Sequence, residues 1–70
     1  MKHLPVTSSN IASISERDPA TGDVEVRFKS GATYVHRAVP LETYENLMSA
    51  KSKGGFYHEH LKGRYGVSKV

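Results

Sequence analysis

The stretch Val39-Pro-Leu-Glu-Thr-Tyr-Glu-Asn-Leu-Met-Ser-Ala-Lys-Ser-Lys-Gly-Gly-Phe56 reads as one short helix running into the start of a second. Pro40 suits the first turn of a helix, where its missing N–H costs nothing and its φ is already near helical. Glu42 and Glu45 follow, at the end where a helix dipole is positive. Leu41, Tyr44, Leu47 and Met48 recur at spacings of three and four, which predicts one apolar stripe on a helix ending near Lys51. Ser52 is then a good N-cap for a second helix over Lys53 to Lys62. Phe56–His60 and Tyr57–Leu61 are i,i+4 pairs on it, and Gly63 stands where a left-handed residue closes a helix.

Short amphipathic helices need a surface to cover, and the residues before them supply a sheet. In Val24-Glu-Val-Arg-Phe-Lys29 the apolar Val24, Val26 and Phe28 alternate with Glu25, Arg27 and Lys29, the signature of a half-buried strand. Asp18-Pro-Ala-Thr-Gly-Asp23 precedes it as a turn, with Pro19 fixing φ and Gly22 permitting a positive one. Ile11 to Arg17 reads as an earlier strand. The spacing of three between Ile11 and Ile14 breaks alternation, so a bulge or a helical turn lies between them. Ala32 to Val39, rich in Thr, Tyr and Val, reads as a third strand.

Register decides which way Tyr34 and His36 point. A three-residue loop, Lys29-Ser30-Gly31 with Gly31 left-handed, pairs Val26 with Tyr34 and turns both residues toward the core; this is the favoured reading. A two-residue loop, Ser30-Gly31, slips the pairing by one and turns them outward beside Arg27 and Lys29. The expectation is an α+β fold, a three-stranded antiparallel meander followed by two short helices packed on one face. Val24, Val26, Phe28, Tyr34, Leu41, Tyr44, Leu47, Phe56 and Leu61 are its expected core. Residues 1–9 read as a flexible arm, 10–66 as the single domain and 67–70 as a tail.

Seventy residues bury only about 60% of the surface an unfolded chain exposes, so such a domain is marginally stable. There is no cysteine, which excludes disulfides and thiolate metal sites and fits a reducing cytoplasm. No apolar run approaches the ~20 residues of a membrane span, and the start Met-Lys-His-Leu-Pro lacks a signal region. The net charge is +3, but residues 51–70 set five cations (Lys51, Lys53, Lys62, Arg64 and Lys69) against Glu59 alone. Such asymmetry favours a polyanionic partner; its plain alternative is a solvated basic face.

Candidate chemistry is sparse. Ser52-Lys53-Gly54-Gly55 offers free N–H groups and nearby lysines for an anion or a small nucleotide, or else is simply a serine-capped kink, the simpler reading. Lys62-Gly-Arg64-Tyr65 is a basic turn with an aromatic, suited to a phosphate and a stacked base. Arg27, Lys29 and Arg37 on the outward sheet face extend such a surface. His58-Glu-His60 does not suggest a metal site: two residues apart on a helix, its histidines diverge by about 200°. No residue set supplies a nucleophile, an oriented base and a pocket, and no cofactor motif is present, so no enzyme is expected.

The ordered anchors Asp18-Pro-x-Thr-Gly22, Val24-x-Val-x-Phe-Lys-Ser-Gly31, Tyr34, Val39-Pro40, Tyr44, Leu47, Ala50, Ser52-x-Gly54, Phe56, Leu61 and Tyr65 resemble the KTSC domain. That module of about sixty residues is named for the C-terminus of some lysyl-tRNA synthetases and also stands alone in small bacterial or phage proteins. The resemblance covers residues 9 to 66. It carries no catalytic residues and implies an accessory role, with RNA such as tRNA as the implied partner. A protein partner, met through edge strands or an aromatic patch around Tyr57 and Tyr65, is the competing class. Two positions depart from the family pattern: its central Tyr-x-Tyr is here Tyr34-Val35-His36, and a frequent Asn in the second helix is His58.

Overall fold

A computed structural model describes residues 2–70. The elements are β1 (His3–Pro5), β2 (Ile11–Ser15), β3 (Val24–Phe28), β4 (Thr33–His36), α1 (Leu41–Ser49), α2 (Lys53–His60) and β5 (Val67–Lys69). The strands form one antiparallel sheet in the order β1-β2-β3-β4-β5. The class is α+β, but five strands replace the three expected. His3–Pro5 adds a strand from the segment read as an arm, and Val67–Lys69 adds one from the segment read as a tail. Met1 of that arm lies outside the described residues. Neither three-residue strand alternates or carries a turn signal of its own; each is held by a neighbour that is itself well specified.

The meander forms as its turns dictate. Asp18 accepts the N–H of Ala20 on Oδ1 at 2.8 Å, a hydrogen bond that holds its carboxyl below the usual range. Gly22 takes φ +79° and Gly31 takes φ +100°. The Gly31 N–H reaches Phe28 O, the Phe28 N–H reaches Ala32 O, and Val26 pairs with Tyr34. That is the bulged three-residue loop, with His36 buried. β2 carries the bulge that its isoleucine spacing allows. Ile11 pairs with Phe28 and Ser13 with Arg27, so one extra residue brings Ile11 and Ile14 to the same buried face.

Both helices cover that face. Ile11, Ile14, Val24, Val26, Val39, Leu47, Tyr57 and Leu61 are buried together, with Phe28, Tyr44, Met48, Phe56 and Tyr65 half-buried against them. Leu41 departs from the expected core and is 55% exposed. At about 100° per residue it lies some 120° around the helix from Leu47, at the far edge of the stripe that Tyr44 and Met48 fill. α1 starts after Pro40 and ends at Ser49, where Ala50 turns extended. α2 is capped as the sequence predicts, with Ser52 Oγ accepting the Gly55 N–H at 3.1 Å. Gly63 (φ +72°) follows it in the left-handed region. The chain then returns to lay β5 beside β4, on the side away from β3.

Candidate functional site

Where the ends of β3 and β4 meet α2, the structure leaves an open groove of about 780 Å³. Its aromatic lining is Phe28, Tyr34, His36 and Tyr57. The rings run edge to face: Tyr34 to Phe28 at 5.9 Å, Phe28 to Tyr57 at 5.2 Å and Tyr57 to His36 at 5.2 Å, with interplanar angles of 71–77°. Such geometry suits the aromatic quadrupole and stiffens the set. Strand alternation brings Tyr34 and His36 to the helix side, and the bulged loop lets Phe28 face them.

His36 is the least ordinary residue of the set. It is 1% exposed; its Nε2 lies 2.8 Å from Tyr57 Oη, and its Nδ1 has no hydrogen-bond partner among the described residues. Burial lowers the imidazole pKa, favouring the uncharged ring, and likewise raises that of the Tyr57 phenol. Lys29, Lys62, Ser9, Asn10 and His58 supply polar lining, and no carboxylate lines the groove among the described residues.

The residues singled out in the sequence are divided. Lys29 and Lys62 border the groove. Lys51 is exposed on the link between the helices. Lys53 turns back, its Nζ donating to Ala50 O at 3.1 Å, and so caps α1. Arg64 Nε donates to Glu59 O at 3.1 Å. Arg37 lies 3.7 Å from Asp23 and donates to Ser68 Oγ. Arg27 is exposed on the sheet face opposite Val26 and Phe28. Tyr65 is half-buried against the core. At Ser52-Lys53-Gly54-Gly55 the serine is committed to its cap, beside a shallow hollow that Ser9, Asn10 and His58 also line. His58 faces the groove while the ring of His60 lies over Phe56 at 4.3 Å, so the two histidines part company.

Tyr57 corrects one reading: it is 6% exposed and belongs to the core, not to a surface patch with Tyr65. Its i,i+4 relation to Leu61, also buried, was the available signal. Ser9 and Asn10 carry no signal of this role in the sequence, because a loop ahead of a strand gives no hint of what its side chains will border.

The model of the KTSC domain matches residues 7–65. This chain belongs to the KTSC domain family. The crystal structure of a KTSC domain protein from Yersinia pestis superposes with a TM-score of 0.90 at 38% identity, covering 99% of this chain and 96% of that one. A protein from Tsukamurella paurometabola is 39% identical over 61 residues, 87% of this chain and 90% of its own length. A lysine–tRNA ligase from Nostoc is 38% identical over 48 residues, 69% of this chain but 9% of the ligase. In this KTSC domain the Tyr34-Val35-His36 segment puts both of its ring-bearing residues into the groove lining.

Proposed function

We propose that this KTSC domain is a non-catalytic RNA-binding module that holds structured RNA, such as tRNA, weakly and in the cytoplasm. The observation that carries the reading is the pair of exposed lysines, Lys29 and Lys62, beside a groove with aromatic walls and no acidic residue. Among the described residues no carboxylate lies within 4 Å of Lys29, Lys51 or Lys62, so their charge is uncompensated at short range. Arg37, Lys53 and Arg64 have protein partners and contribute mainly to the field around the site. Kinship with a segment of lysine–tRNA ligases supports the same partner, because a module within such an enzyme works beside tRNA.

Phosphate contacts of this kind position a nucleic acid without reading its sequence. Binding to tRNA is expected to be micromolar or weaker and to fall with salt at a log–log slope of about −2 to −3 for three lysines. Fluorescence anisotropy across 20–200 mM salt, with a DNA duplex alongside, measures it; no binding even at the lowest ionic strength sinks the proposal. The competing partner is a protein pairing with the free edge of β5, where Val67 and Val70 are exposed. Recovery of one protein after nuclease treatment would favour it.

A further inference from the structure

We infer that the groove itself takes one unstacked nucleotide, its base against the half-buried rings of Phe28 and Tyr34, which His36 and Tyr57 back from the core, and its phosphate toward Lys29 and Lys62. This deepens the RNA reading but does not depend on it, since the same chemistry could come from an unpaired residue of an RNA or from a free mononucleotide. Three separate observations point to such a ligand.

The first is the wall: Phe28 and Tyr34 are only half-buried, so ring surface remains uncovered at the groove. Aromatic surface held in place by edge-to-face neighbours suits a planar base, which gains from stacking whatever its sequence. The second is charge. Among the described residues the lining holds two lysines and no Asp or Glu, which favours an anionic ligand over a neutral or cationic one. The third is the polar rim, where Ser9, Asn10 and His58 offer hydrogen-bonding side chains for the sugar and the base edge. The groove volume falls within the roughly 300–1,000 Å³ of small-molecule sites.

The test is NMR titration of the whole chain with AMP, GMP, CMP and UMP, with ribose 5-phosphate and inorganic phosphate as controls, followed by a single-stranded RNA hexamer. The nucleotides should shift the amides of Ala32, Gly54 and Gly63 and the ring protons of Phe28 and Tyr34, whereas the two controls should not. Tyr34→Leu should raise the nucleotide Kd about ten-fold. Lys62→Gln, at an exposed position, should weaken binding several-fold without altering the fold. Equal perturbation by ribose 5-phosphate and AMP, or nucleotide shifts confined to Lys51 and its neighbours, would overturn the inference. Hexamer binding with a silent groove would also overturn it while leaving the RNA reading intact. Mononucleotides bound in the groove without any hexamer binding would support it and remove the RNA reading.

Discussion

His36 and Tyr57 form a hydrogen-bonded polar pair buried against the apolar core. Removing one partner exposes the cost of leaving the other unsatisfied. Tyr57→Phe keeps the ring and its contacts but leaves both imidazole nitrogens unbonded, and should cost about 1–3 kcal/mol in urea denaturation. The pair also sets a pH dependence. Burial holds the folded imidazole below the ~6.5 of an unfolded chain, so between those values the unfolded state binds more protons. Stability should therefore fall as pH drops through the mid-6 range and level off below the folded pKa. Thermal melts from pH 8 to 5 measure this, and His36→Gln should flatten part of the slope. The inward turn of His36 was legible because alternation and loop length agree. Its partner was not: a tyrosine twenty-one residues away on a helix leaves no local trace of which ring it will meet.

Between elements, the junction that matters most is the one where the β2–β3 turn touches the β4–α1 link. Gly22 and Ala38 both have positive φ, and a Cβ built on Gly22 would lie 3.0 Å from Ala38 Cα and 3.1 Å from Val39 N. The Val39 N–H donates to Gly22 O across the same contact. Because the obstructing atoms are backbone, they cannot swing aside. Gly22→Ala should destabilise by about 2 kcal/mol or more, combining left-handed strain with the clash. Ala38→Gly removes strain of its own and should be neutral or stabilise by up to about 1 kcal/mol, although it loosens the unfolded chain. A Gly22→Ala loss in urea denaturation exceeding the roughly 1–2 kcal/mol of left-handed strain alone would verify the contact. The turn itself could be read from Asp18-Pro-Ala-Thr-Gly22, as the cap of the second helix could from Ser52, because such signals are local; Pro40, read as the first helical residue, stands one position ahead of α1. The packing of turn against link could not be read this way.

At the scale of the molecule, a core of eight buried side chains among the described residues must stabilise the fold, and little is in reserve. The end strands count for more than their length implies. β1 is tied by His3, whose two ring nitrogens reach Ser13 Oγ at 2.8 Å and Glu25 Oε1 at 2.6 Å. β5 closes the sheet from beyond both helices, pairing Val67 with His36. Deleting residues 2–6, or separately 67–70, should each lower the melting temperature by several degrees, at roughly 4–8 °C per kcal/mol for a domain this small. A loose arm and tail would leave it unchanged. The central meander and its helical cover were legible because alternation, turn residues and helical periodicity agree. Three-residue strands fall below that threshold and are specified by their neighbours.

Since the first and last elements are the two margins of the sheet, the choice of attachment point is a choice of environment. A label or fused protein joined ahead of β1 departs from the margin away from β5. One joined after Val70 departs beside Thr33, between the groove residues Ala32 and Tyr34. Tags, fluorophores and tethers on the C-terminal side would therefore crowd the cleft, and those on the N-terminal side would leave its mouth open.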